Sequence, residues 1–144
     1  MNDNLPVGGE IDRVEVSLRV AGDTLDPDRI TRMLGVQPSF AARKGDVVER
    51  GGAPVTQRVG IWTYKLPHSS EWELGDAIET LLERLPADPA LWETLATEFE
   101  TDVFCGLFLS EANRGTTLRI ETMALLAERR LELALDIHGP GRGA

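Results

Sequence analysis

The sequence predicts an α+β fold, a two-layer sandwich in which helices pack on one face of a largely antiparallel sheet of four main strands. Three of the four candidate strands alternate apolar and polar residues, which indicates one buried and one open sheet face. Segments with the apolar spacing of helices separate these strands. A doubly wound parallel sheet is the alternative, but it would cover both faces and make all strands uniformly apolar.

The first strand spans residues 12–20, and a short helix follows it. The strand's inward side chains are predicted to be those of Val14, Val16, Leu18 and Val20. Asp26 suits the N-cap of the helix, Pro27 its first position and Gly35 its C-terminal stop. The buried stripe of this helix is expected to consist of Ile30, Met33 and Leu34.

A strand rich in β-branched and aromatic residues is predicted over residues 59–66. Gly51 and Gly52 are predicted to turn a hairpin between residues 46–50 and this strand. Alternation puts Trp62 on the core side, so we expect its side chain to be buried with the indole N–H paired.

Two helices are predicted over residues 72–85 and 88–99; Pro86 ends the first, and the second begins with Asp88 as its cap and Pro89 in its first turn. They form a helical hairpin that should pack on the face bearing Val14, Val16 and Leu18. Their inward side chains are expected to be Trp72, Ile78, Leu81, Leu82 and Leu85 in the first helix, and Leu91, Trp92, Leu95 and Phe99 in the second.

The pattern of the last part of the chain predicts a strand, a helix and a second strand. Residues 102–109 are apolar on both faces and suit a central strand. A helix over 120–130 carries Met123, Leu126 and Ala127, and the final strand, 131–137, alternates again. Residues 1–138 are expected to form a single domain, and residues 139–144 a flexible tail.

The net charge of −9 lies entirely in the second half of the chain. Residues 1–70 hold nine basic and nine acidic residues, whereas the segment 71–102 holds ten acids and one base, Arg84. Such a surface repels phosphate backbones, which argues against nucleic-acid binding. No apolar run is long enough for a membrane helix, and no secretory signal or disulfide pair is visible, so we expect a cytoplasmic protein without membrane contact.

Three segments carry a family resemblance: 22–38 (GDTLDPDRITRMLGVQP), 44–46 (KGD) and 60–62 (GIW). Together with a leucine-rich helix before a terminal strand, they resemble a bacterial family named domain of unknown function 4279. The resemblance implies a bacterial source and a small, compact protein without an established activity. It supplies no catalytic residues.

The reactive side chains form no recognisable catalytic or metal-binding set. Cys105 lies on an apolar strand and is expected to be an inert core residue. Asp136 and His138 share one face of the last strand, but the sequence places no serine to complete a catalytic set. The two histidines have no ligand-spaced partner. The sequence therefore predicts no catalytic residue, no metal site and no cofactor.

The segment 36–58 is the strongest candidate binding site. It is long, and its basic groups lie in an otherwise acidic protein and lead to a strand with aromatic residues. Such groups can hold an anion or an acidic partner segment. The alternative without a binding function is a hairpin whose edge-strand charges are solvated. The candidate residues are Arg43, Lys44, Asp46, Arg50 and Trp62.

The sequence favours a non-enzymatic protein-interaction module, with an immunity (toxin-neutralising) or regulatory role by analogy. A partner would bind through the acidic segment 71–102 or through the open sheet face, which bears Phe104 and Phe108 and also suits a homodimer. A loop or the N-terminal arm could instead cover these rings. The alternative function is a small-ligand-binding protein or enzyme that uses residues 43–50 and Trp62.

Overall fold

A five-stranded mixed sheet forms the centre of the computed structural model, which describes residues 7–67 and 73–140. In chain order the elements are β1 (Arg13–Gly22), α1 (Pro27–Leu34), β2 (Phe40–Ala42), β3 (Val47–Arg50), β4 (Ala53–Thr56), β5 (Gly60–Lys65), α2 (Leu74–Glu83), α3 (Pro89–Glu98), β6 (Glu100–Phe108), α4 (Ile120–Glu128) and β7 (Glu132–His138). The sheet order is β2-β5-β1-β6-β7, and β3 and β4 form a separate two-stranded sheet.

The predicted α+β class is confirmed, with a difference in the sheet. β1 pairs antiparallel with both β5 and β6, and β2 pairs antiparallel with β5. β6 and β7 are parallel, because the connection through α4 returns the chain to the end of the sheet at which β6 begins. The sheet is therefore largely antiparallel, with one parallel pair at its edge.

The core lies between the helices and one face of the sheet. Cross-strand register places Val16 opposite Cys105, Leu18 opposite Val103, and Val20 opposite Trp62, and all six side chains are buried. α2 packs against β1 and α3 against β6, as predicted for the helical hairpin. Because directly opposed residues share a face, the alternation within β1 decides which face the helices cover.

The helix signals in the sequence act as expected. The side chain of Asp26 accepts from the Asp28 backbone N–H at 3.1 Å, and Asp88 accepts from Ala90 at 3.0 Å. Gly35 ends α1 with φ of 74°, a left-handed conformation that favours glycine. Trp72 lies outside the described residues. No helix within 7–67 and 73–140 is long and apolar enough to cross a membrane.

The predicted hairpin partner was wrong. Gly51 and Gly52 do form a turn with positive φ, but they join β3 to β4, not residues 46–50 to the strand 59–66. β4 is an additional short strand, and the chain returns to the main sheet only at β5. The edge strand β2 was also missed, because three residues are too few to show alternation.

We expect Trp62→Ala to lower the free energy of unfolding by about 3–5 kcal/mol, as for other large core truncations. The side chain is fully buried, and its Nε1–H donates to Thr31 Oγ1 at 3.0 Å. Urea denaturation measures the change. Arg43→Ala is the control and should cost less than about 1 kcal/mol, because its ion pair is exposed. Equal losses in the two variants would contradict the core role of Trp62.

Candidate functional site

The sheet has a second face, here called the open face, that none of the four helices in the described part of the chain covers. Register and alternation place Phe104 and Phe108 on it, as predicted. Its residues are Arg13, Glu15, Ser17 and Arg19 on β1, Thr63 and Lys65 on β5, Asp102, Phe104, Gly106 and Phe108 on β6, and Glu132, Ala134, Asp136 and His138 on β7.

One end of the open face holds a stack of three planar groups. The Arg13 guanidinium lies 3.9 Å from the centroid of the Phe108 ring. The His138 ring stacks on the same phenyl at 4.5 Å with an interplanar angle of 7°. Arg13 and His138 come from the strands on either side of β6. A Cβ added at Gly106 would lie 3.3 Å from the phenyl edge, so the glycine makes room for this ring.

A second arginine shields the other phenylalanine of the open face. The Arg19 guanidinium lies 4.3 Å from the Phe104 ring centroid and forms a two-bond pair with Asp102, at 2.8 and 2.6 Å. These hydrogen bonds raise the pKa of Arg19, against an opposing effect of burial. The planar fork of arginine allows stacking and carboxylate pairing at once, which a lysine ammonium cannot provide.

Polar pairs occupy the remaining positions of the open face. His138 Nε2 lies 3.0 Å from Asp136 Oδ2, and Lys65 pairs with Glu15 at 3.3 Å. Arg13 forms no ion pair with any residue in the described part of the chain. The guanidinium of Arg13 therefore keeps hydrogen-bond donors for an incoming group.

A cleft of ≈ 590 Å³ extends the open face at the end bearing Arg19. Arg19 and Asp102 line it together with Phe99, Arg130 and Glu132. Because both charge signs line the cleft, its electrostatics suit a polar partner side chain better than a simple anion.

The predicted loop residues lie close to acids of the same chain. Arg43 pairs with Asp26 at 2.7 Å and Lys44 with Asp23 at 3.1 Å, with both basic side chains about half exposed. Asp46 accepts from the Arg43 backbone N–H at 2.8 Å. The structure thus brings these three loop residues together, next to the turn that precedes α1.

The other two predicted residues lie apart from this cluster. The Arg50 guanidinium lies 5.4 Å from the Phe40 ring centroid. Trp62 is fully buried, and its indole N–H is taken by Thr31. Trp62 therefore supports the core and offers no exposed surface for stacking.

Much of the acidic segment is engaged within the chain. Glu98 pairs with Arg29 at 2.6 Å, and this hydrogen bond lowers the pKa of Glu98. Glu79 accepts from the buried Thr122 hydroxyl at 2.7 Å. The segment also contains Asp88, which caps α3, and Asp102, which pairs with Arg19. Several carboxylates of the acidic segment therefore stabilise the fold through contacts within the chain.

Sequence patterns alone missed Arg13 and Arg19 as parts of a site. Both are polar positions of an alternating strand, which is also where ordinary solvated residues lie. Their stacking depends on the register between β1 and β6, which sets Arg13 opposite Phe108 and Arg19 opposite Asp102. Among the described residues, no group of three or more histidine, cysteine or acidic side chains could hold a metal ion.

Comparison with known proteins identifies the family. The sequence model of the family Domain of unknown function (DUF4279) matches residues 12–140. The chain belongs to this family. The DUF4279 match spans every strand and helix described above. No curated protein and no solved structure matches the chain.

We expect Cys105 of this DUF4279 protein to react with thiol reagents far more slowly in the native state than a small free thiol does. Burial raises the pKa of the Cys105 thiol from 9.0 to about 12, and the charge of Asp102 adds to this effect. Urea unfolding should restore normal reactivity. Fast labelling of the native protein would contradict the core position of Cys105.

The same pKa shift predicts that stability falls as pH rises from about 9 towards 12. In that range the unfolded thiol loses its proton while the folded thiol keeps it, so the unfolded state binds fewer protons. The slope from this group reaches at most about 1.4 kcal/mol per pH unit. The Cys105→Ala variant lacks this titrating group. The free energy of unfolding of the wild type, measured relative to this variant, should therefore fall as the pH rises. Parallel pH profiles of the two proteins would overturn the prediction.

Proposed function

We propose that the protein is a non-enzymatic interaction module that binds another protein through its open face. The observation that carries this proposal is that the helices cover one sheet face only, so two phenylalanine rings lie on the other, shielded by arginines. Aromatic residues and arginine are enriched at the centres of protein interfaces. An open antiparallel sheet face can also be solvated, and the arginines would then only shield the two rings from water. The guanidinium of Arg13, which forms no ion pair in the described part of the chain, favours a partner instead.

The fixed geometry of the open face favours binding. Stacking and ion pairing already restrain Arg13, Arg19 and His138, so less side-chain entropy is lost when a partner binds. Arg13 has donors that no described carboxylate uses, and it can accept an acidic side chain of the partner. A partner surface with a carboxylate beside an apolar group fits this end of the sheet.

An immunity (toxin-neutralising) or regulatory role in the cytoplasm is the concrete form of this proposal. A small protein that covers a surface of another protein can block it without any chemistry of its own. The single, buried cysteine suits a reducing compartment. The toxin-neutralising role rests on analogy, and the DUF4279 match supports no particular activity.

Two other surfaces remain as alternatives with less support. A small-ligand site at residues 43–50 would have to work without Trp62, whose side chain is in the core. A partner of the acidic segment would meet several carboxylates already paired within the chain.

We expect Arg13→Glu to weaken binding of a native protein partner by about tenfold or more, because the charge on the open face is reversed at a stacked position. The partner is isolated from the source organism with wild-type bait, and its affinity for each variant is measured by titration calorimetry. Arg32→Glu is the matched control, since it reverses an exposed arginine on α1. The melting temperature should stay within a few degrees in both variants.

Two double variants test the alternative surfaces in the same assay. Arg43→Ala with Lys44→Ala removes the loop cations, and Glu83→Lys with Glu93→Lys reverses two exposed acids of the segment 71–102. Both should keep wild-type affinity. If either abolishes binding while Arg13→Glu retains it, the partner uses that surface and the open-face proposal is wrong.

A further inference from the structure

The free edge of β7 is a second surface, distinct from the open face. β7 is the last strand of the sheet order, and no strand in the described part of the chain pairs with its outer side. It pairs with β6 over seven consecutive residues without a bulge and contains no proline. A regular edge of this length leaves unpaired backbone groups that can bind another strand.

The orientation of the backbone shows which residues offer those groups. The His138 carbonyl accepts from the Leu109 N–H at 2.8 Å, so the peptide groups of His138 point towards β6. Successive residues of a strand point to alternate sides. The N–H and C=O groups of Leu133, Leu135 and Ile137 therefore point outward, to the free edge.

The same edge exposes apolar side chains. Leu135 is 49% exposed and Ile137 59%, although both lie on the helix-bearing side of the sheet. α4, which contacts β7, adds Ile120 at 74% and Met123 at 47%. These two consecutive elements carry four of the nine large exposed apolar side chains in the described residues. Exposed apolar side chains along an unpaired edge mark an interaction site.

We propose that β7 pairs antiparallel with β7 of a second copy of this chain, with the two-fold axis at Leu135. In this register Leu135 faces its own symmetry mate, and Leu133 faces Ile137 of the second copy. All three are outward-pointing residues, so each pair exchanges N–H and C=O bonds, and their apolar side chains share one face. The proposal is independent of the open-face function.

The charges along β7 favour this register over the two registers next to it. Glu132 then lies opposite His138 of the second copy, and Asp136 lies opposite Ala134, so no like charges meet. A shift of the axis to Ala134 would set Glu132 against Asp136, and a shift to Asp136 would set that residue against itself. Both shifts oppose carboxylates directly, which is destabilising. An axis between two residues would pair outward-pointing with inward-pointing groups.

The geometry also limits the assembly to two copies. An isologous contact uses the same patch on both copies, and each copy has one β7 edge, so the contact closes. The opposite edge of the sheet is β2, which has only three residues, and cannot offer an equivalent ladder. The product is a dimer with a continuous ten-stranded sheet.

Analytical ultracentrifugation of the wild-type chain tests the dimer directly. We expect a concentration-dependent equilibrium that reaches twice the mass of one chain. Ala134→Glu should raise the dissociation constant by about tenfold, because it opposes Asp136 of the second copy at two symmetric positions. Ala134→Lys, at the same position, should lower it by about threefold. A monomer at all concentrations, or the same constant for both variants, overturns the proposal.

Cysteine cross-linking tests the register. Leu135→Cys should form an intermolecular disulfide under mild oxidation, since facing residues of a hydrogen-bonded antiparallel pair have Cα atoms about 5.5 Å apart. Ile137→Cys is the matched control on the same face. It should not cross-link, because its symmetry mate is displaced by four residues, about 13 Å along the strand. The wild-type chain, whose one cysteine is buried, is the blank.

The outcomes separate this inference from the proposed function. Cross-linking at Ala134→Cys or Asp136→Cys instead of Leu135→Cys shows another register and overturns the proposed one. A dimer that does not cross-link at any of these positions uses another surface. Partner binding by Arg13→Glu is measured on protein below the dimer dissociation constant, so failure of one proposal leaves the other standing.

Discussion

The strict alternation of β1 is the constraint on which the rest of the structure depends. β1 is the middle strand, and it hydrogen-bonds to both β5 and β6. Its valines and its leucine lie in the helix-covered core, while Arg13 and Arg19 project to the other side of the sheet. A one-residue slip would exchange the two sets, burying two arginines and exposing the core residues. The core and the open face are therefore fixed by the same register.

The arginines explain how the sheet tolerates phenylalanines on an uncovered face. The planar guanidinium lies over the ring and keeps its hydrogen-bonding edge available to carboxylates or water. Gly106 adds to this, since the absence of a side chain leaves room for the Phe108 ring beside it. The open face thus combines apolar area with charge, as the proposed partner surface requires.

Local patterns predicted most of the fold, because caps, prolines and alternation act within a few residues. The side on which Phe104 and Phe108 lie followed from their alternation with Cys105, and the burial of Trp62 from its own strand. The missed features depend on distant pairing. β2 and β4 are defined by the strands they pair with, and the proposed site on the open face depends on the register between β1 and β6. The sequence leaves open whether the basic loop is a binding site or a hairpin with solvated charges, because it cannot show that Asp26 and Asp23 lie beside the loop cations.

The two proposed surfaces would act together if both exist. A two-fold axis perpendicular to the sheet leaves both open faces on the same side of the ten-stranded sheet, and His138 lies at the border between each open face and the shared edge. A partner with its own two-fold symmetry could then bind both copies, and the second contact would form at a high effective concentration. Under these conditions, disruption of the β7 edge would weaken partner binding without any change in the stacks around Phe108. The affinity for a monomeric partner would not depend on dimerisation. Whether disruption of the β7 edge weakens partner binding therefore indicates whether the partner itself is two-fold symmetric.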